Sequence, residues 1–233
     1  IPAAVMNLEL LFWATQATGD STFYKVAVTH ADTTMKNHFR PDYSSYHVVD
    51  YDTISGKRIA QQTHQGYADS SAWARGQVWG LYGYTVCYRE TKDPKYLAQA
   101  NKIAAYILSR SNQTEDLIPY WDYDAPNIPN EPRDVSAATV AASALYELST
   151  YSADSLKYRA VADSIINNLS KSYLVAPGTM HGFLLRSSTG HKPNGSEIDV
   201  PIVYADYYFL EALLRKQRLE NGQPVVGGVL TRE

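Results

Sequence analysis

Residues 71–108 read SAWARGQVWGLYGYTVCYRETKDPKYLAQANKIAAYIL, and the punctuation of this stretch decides the architecture. A helical pattern runs from Ser71 to Thr91 and stops at Lys92-Asp93-Pro94. Pro94 suits the first position of a new helix, because its missing N–H is one that a helix start leaves unpaired anyway. Tyr96, Leu97, Ala100, Ile103, Ala104 and Ile107 then recur at helical spacing. Two helices joined by so short a turn make one helix pair.

The same arrangement recurs on both sides. Val5 to Thr18 is apolar almost throughout (Leu8, Leu10, Leu11, Phe12, Trp13) and reads as a buried inner helix. Gly19 closes it, and Asp20 or Ser21 caps a second helix running to about Phe39. A third pair runs from Ser136 to Thr150 and from Asp154 to Leu174, and a seventh helix covers Tyr204 to Leu219. The turns share a pattern: Gly19-Asp20 with Tyr24, Asp93-Pro94 with Tyr96, Asp154-Ser155 with Tyr158. The repeat is roughly 60–70 residues long.

Each insertion follows the second helix of a pair. Tyr46 to Asp52 alternates like a strand, and Ser55-Gly56 turns it into Lys57-Arg58-Ile59-Ala60, a β-hairpin. Residues 111–134 and 176–202 have no helical period. Loops of this length inside one domain generally carry function. Helix pairs with long loops on one side describe an α/α toroid, with a four-helix bundle as the simpler alternative.

The 233 residues carry a formal net charge of -3 with no basic cluster, which speaks against nucleic acid and anionic membranes as partners. No apolar run reaches membrane-spanning length. The single cysteine, Cys87, rules out an internal disulfide and reads as a buried structural thiol. The 19 tyrosines and 4 tryptophans fit sugar stacking as well as core filling.

Polar and aromatic groups cluster where a loop enters the helix beginning near Ser71. Asp69, Ser70 and Ser71 are all residues that cap helices. Trp73, Arg75, Gln77 and Trp79 follow on its first turns, with Arg75 and Trp79 four apart on one face. An arginine beside a tryptophan at a helix start suits a sugar carboxylate. The structural alternative is an Arg75–Asp69 pair with both tryptophans in the core. Gly76, Gly80 and Gly83 form a small-residue stripe that permits close helix packing.

The string Gln65-Gly66-Tyr67-Ala68-Asp69-Ser70-Ser71-Ala72-Trp73-Ala74-Arg75-Gly76-Gln77 resembles the signature of glycoside hydrolase family 88, the unsaturated glucuronyl hydrolases. Met6-Asn7-Leu8-Glu9-Leu10-Leu11, Thr29-His30-Ala31, Tyr46-His47-Val48-Val49-Asp50-Tyr51 and Ser196-Glu197-Ile198-Asp199-Val200-Pro201 resemble it as well, in the family's order. The resemblance implies an all-α (α/α)6 barrel toroid, here incomplete, with about seven helices plus a small β-hairpin. The barrel would occupy residues 1–219, with 220–233 as a C-terminal tail. The unsaturated rhamnogalacturonyl hydrolases share that fold and chemistry and stay open as an alternative.

The implied partner is an oligosaccharide ending in a Δ4,5-unsaturated uronic acid. An acid protonates the double bond, water adds at C5, and the hemiketal collapses to release the aglycone. No metal or organic cofactor is implied. By match to the family motif, His47 is the catalytic-site histidine. Gln65, Trp73, Arg75 and Trp79 hold the sugar, and the loop with Ser187 and Lys192 faces the leaving sugar. His30 and His38 read as structural. The resemblance leaves periplasm and cytoplasm both open.

One departure matters. The family's proton-donating aspartate stands four residues before the Asn of the Met-Asn-Leu string, and Ala3 occupies that position. Asp69 reads as a loop brace. The chain as given is therefore expected to be impaired, and an inactive uronate-binding or structural remnant stays open, as does a protein-binding scaffold of helical repeats. A seven-helix arc is also expected to leave Leu8, Leu11 and Phe12 on an open edge. That implies either self-association or missing N-terminal helices.

Overall fold

The computed structural model describes residues 3–111 and 114–227. Its helices are α1 (Ala3–Met6), α2 (Leu8–Thr18), α3 (Ser21–Asn37), α4 (Ala74–Thr91), α5 (Pro94–Ser111), α6 (Val135–Leu148), α7 (Ser155–Ser172) and α8 (Val203–Glu220). Strands β1 (Val48–Tyr51) and β2 (Arg58–Gln62) form an antiparallel hairpin, with Gly56 left-handed in the turn. α2 packs on α3, α4 on α5 and α6 on α7, while α4, α6 and α8 pack side by side in an arc. This is part of an α/α toroid.

Burial separates inner from outer helices. α6 is buried at every position and α4 from Ala74 to Cys87, whereas α3 and α7 bury one stripe each. The glycine stripe makes the inner packing possible. A Cβ on Gly83 would fall 2.7 Å from the carbonyl carbon of Val5, so α1 crosses α4 backbone to backbone there. A Cβ on Gly80 would meet the Phe39 ring at 3.1 Å. Cys87 lies in this core, and burial pushes its thiol pKa up to about 12.

The helix ends follow the residues expected to make them. Gly19 closes α2 at φ 78°, and the Asp20 side chain accepts from Thr22 N at 2.8 Å to start α3. Such a cap stabilises by about 1 kcal/mol. Pro94 opens α5.

Several boundaries differ from the sequence reading. The first helix is broken by a turn at Asn7. α4 starts at Ala74 rather than Ser71, because the capping residues before it are engaged elsewhere: Asp69 accepts from Thr63 N and Ser71 Oγ donates to Asp122. The tail does not leave the domain cleanly. Gln223 N donates to Arg218 O, and Val225 is buried in the core. Residues 228–233 of that tail lie outside the described residues.

The exposed edge is also not the one expected. Leu8 and Phe12 are buried, Phe12 packing edge-on against Tyr24 of α3 at 5.7 Å, and Leu11 is half-buried. The outward residues of α2 are Leu10 and Trp13, 66% and 55% exposed.

Candidate functional site

The loops after α3, α5 and α7 meet over the N-terminal ends of α4, α6 and α8. Trp73 bridges to Asp122, Val135 N donates to Ser187 O at 3.2 Å, and Gln65 Nε2 donates to Gly190 O at 2.9 Å. Arg75 ties the three helices together. Its Nη1 pairs with Asp134, the N-cap residue of α6, and donates to Thr189 O at 2.8 Å. Its Nη2 donates to Gly190 O at 2.6 Å. The guanidinium carbon lies 4.5 Å from the Trp73 ring and 5.6 Å from the ring of Tyr204, in the first turn of α8.

Arg75 is 2% exposed and Asp134 is fully buried. Charges this far from water persist only when paired and hydrogen-bonded. Arg75 is thus a clamp on the 187–190 loop, and its partner is Asp134 rather than Asp69. Trp79 meets the aromatic rings of α8: it lies 6.2 Å from the Tyr204 ring, and Tyr208 packs on it at 5.2 Å. Both Trp73 and Trp79 are buried.

His47 enters from the base of the hairpin. Its Nδ1 accepts from His64 N and Gln65 N, both at 3.0 Å, so its proton sits on Nε2. The ring packs against Trp73 at a tilt of 38°, with the centroids 4.5 Å apart. Burial, with smaller contributions from His64, Arg75 and His191, holds its pKa down at about 4. His64 and His191 rings lie 4.6 Å apart, and His191 Nε2 is 2.9 Å from His64 O.

Because the folded pKa lies below the ordinary histidine value, the unfolded chain binds more protons between about pH 4 and 6.5. His47 therefore contributes stability that is complete above about pH 6.5 and lost as the pH falls, roughly 3–3.5 kcal/mol in all. Urea midpoints at pH 5 and 7 test this. The loss on acidification should shrink in His47→Gln, and parallel losses in both proteins would place the effect elsewhere. His38, held at about 3 by burial, titrates in the same direction in both.

Ser187 is left-handed at φ 68° and caps α6 through its carbonyl. Lys192 sits 2.5 Å from Glu131, whose buried carboxylate also accepts from Trp121 Nε1 at 2.8 Å. The charge of Lys192 is thereby matched. Gly190 is required: a Cβ there would collide with the Glu197 side chain. His30 lies on the outer helix α3, and His38 is its C-cap, where its carbonyl accepts from Tyr46 N at 2.8 Å and its ring lies 6.3 Å from that of Tyr51.

Asp134, Asp122, Tyr204 and Glu131 were not among the site residues read from the sequence. Asp122 is fully buried and accepts from Tyr67 N, Ser71 Oγ and Asp124 N at 2.7–2.9 Å. Burial raises its pKa despite those donors. Asp69 braces the same loop as expected, accepting from Thr63 N at 2.7 Å. Asp134 had a signal, since it stands directly before the apolar run 135–148 where an N-cap belongs. Asp122 and Glu131 had none, lying in a stretch without period.

No family model matches this chain. An unsaturated glucuronyl hydrolase of Formosa agariphila is 50% identical over 216 residues, which are 92% of this chain and 54% of that protein. The crystal structure of an unsaturated glucuronyl hydrolase specific for heparin superposes with a TM-score of 0.93 at 50% identity, covering 95% of this chain and 60% of that one. Over most of its length this chain is homologous to unsaturated glucuronyl hydrolases. Its matched span is about half the length of the curated unsaturated glucuronyl hydrolases it resembles. A variant of the Streptococcus agalactiae unsaturated glucuronyl hydrolase, complexed with dGlcA-GalNAc6S, superposes with a TM-score of 0.82 at 32% identity and covers 91% of this chain and 57% of that one.

Proposed function

We propose that this chain carries the sugar-holding side of a site that removes a Δ4,5-unsaturated glucuronic acid from the end of lyase-generated oligosaccharides. The observation that supports it most is the convergence at Arg75. Three inner helices, α4, α6 and α8, direct their N-terminal ends to one place, and each such end favours an anion. The carboxylate of a uronate is the ligand this field suits. His47 Nε2 and the Gln65 amide are the donors at its edge, with Trp73 as the aromatic face behind them. Arg75 acts through the loop it fixes. Lys192 and Ser187 face the leaving sugar, Lys192 as a hydrogen-bond donor whose charge Glu131 already balances.

The reaction implied by the family needs a proton delivered to C4 and water added at C5. Asp69, Asp122 and Asp134 are engaged as acceptors that hold the loops, and Ala3 offers no proton. The acid therefore comes from outside these residues. The relatives specific for heparin and complexed with dGlcA-GalNAc6S support glycosaminoglycan fragments as the substrate class.

Titration with an unsaturated glucuronyl disaccharide, followed by tryptophan fluorescence, tests the assignment. His47→Ala and Gln65→Ala should each weaken binding about tenfold, the effect of one lost hydrogen bond to a charged group. Equal affinity in the wild type and both variants would remove this face from the site.

A further inference from the structure

Residues 190–197 form a small hairpin beside Arg75. Gly190 N donates to Glu197 O at 2.7 Å, His191 bridges to Ser196, and a 3-10 turn, Lys192–Asn194, closes it. The hairpin is anchored at Gly190, whose carbonyl accepts from both Arg75 and Gln65. It carries two charged side chains, Lys192 and Glu197, and their surroundings differ.

Lys192 is matched by Glu131. Glu197 is exposed and has no ion pair among the described residues. The nearby cations are committed elsewhere, Arg75 to Asp134 and Arg133 to Asp116. The rim of the site is therefore left with the uncompensated negative charge of Glu197.

That charge is held against the site. Glu197 Oε2 lies 2.1 Å from the place a Cβ on Gly190 would take, so the carboxylate rests on the Gly190 backbone. It is near enough to act on Tyr204. Burial raises the pKa of that phenol, Arg75 opposes the rise, and Asp134 and Glu197 add to it. The Glu197 backbone is left-handed at φ 52°, a conformation that costs a residue with a side chain and suits glycine. Folding alone gives no reason for glutamate there.

We propose that Glu197 is a specificity-determining residue: it disfavours an anionic substituent, such as a sulfate, on the leaving sugar and favours a neutral or amine-bearing one. The proposal rests on the sugar site described above and adds a charge preference to it. An exposed carboxylate a few ångströms from a sulfate acts through water, so the expected discrimination is about three- to fivefold.

The test compares three unsaturated glucuronyl disaccharides by tryptophan fluorescence, ending in N-acetylglucosamine, its 6-sulfate, and glucosamine with a free amine. The wild type should bind the sulfated one about three- to fivefold more weakly than the N-acetylated one, and the amine at least as tightly. Salt at about 0.5 M should shrink that ratio by screening. Glu197→Gln keeps the size of the side chain and should bring the three affinities to within about twofold. Glu197→Gly suits the left-handed backbone and should give the same result, which keeps the test open if the first variant misfolds. Asp199→Asn, two residues on and also exposed, should leave the order unchanged. Equal wild-type affinities for the sulfated and N-acetylated disaccharides would overturn the proposal. So would a preference that survives loss of the Glu197 charge, or one that Asp199→Asn erases equally. Failure of all three disaccharides to bind the wild type would remove the sugar site itself, and this proposal with it.

Discussion

Arg75→Ala is expected to destabilise the chain by about 3–5 kcal/mol, the cost of breaking a buried ion pair by removing one partner. The deletion leaves the Asp134 carboxylate, fully buried, with Ser136 Oγ as its remaining side-chain donor. It also leaves Thr189 O without its Arg75 donor and Gly190 O with Gln65 alone. Denaturant midpoints measure the loss. Removing both charges, Arg75→Met with Asp134→Leu, should cost less than the single change, because no orphan charge remains. A single-variant loss under about 1 kcal/mol would mean that water reaches Asp134 and that the clamp is not a clamp. Disaccharide affinity should fall in both proteins, since the 187–190 loop loses its anchor in each.

Glu147→Ala is expected to have a comparable effect at the opposite end of the arc. Glu147 is fully buried on α6 and accepts two bonds from Arg89 of α4, at 2.9 and 3.0 Å. It also pairs with Arg215 of α8 at 3.0 Å. One carboxylate thus joins three inner helices. Burial lowers the pKa of both arginines, but Glu147 and its acidic neighbours outweigh it and raise both. Alanine leaves two buried guanidinium groups short of a partner, a loss of about 3–5 kcal/mol. Glu147→Gln keeps the shape and should lose less. Since Arg75→Ala acts far from this cluster, the two losses should add to within about 0.5 kcal/mol. Equal midpoints for Glu147→Ala and the wild type would show that Glu9, Glu90 and Glu211 suffice.

The helix pairs were legible because each is bounded by local chemistry. Gly19 and Pro94 act through their own backbones and Asp20 through a side chain that reaches only two residues on, so distant neighbours hardly matter. The hairpin was legible for the same reason at Ser55-Gly56. The Arg75 environment was only half legible. Spacing put Arg75 and Trp79 on one face, but the ring that both approach, Tyr204, comes from residues more than a hundred positions away. The partner Asp134 is 59 positions away, and pairing across the arc leaves no periodic trace. The exposed edge was misjudged for a related reason. α2 is apolar on nearly all sides, so its composition does not say which stripe faces α3. The outcome is that Leu8 and Phe12 turn inward and Leu10 and Trp13 outward.

In the proposed function, this chain holds an unsaturated uronate without supplying the proton. One measurement addresses both halves: the purified chain is mixed with saturating unsaturated glucuronyl disaccharide, and tryptophan fluorescence is followed together with the ultraviolet absorbance of the double bond. A saturable fluorescence change is expected, with the absorbance falling at less than about one hundredth of the rate given by a complete relative, the scale of a missing general acid. No saturable change, with the fold intact by circular dichroism, would contradict it.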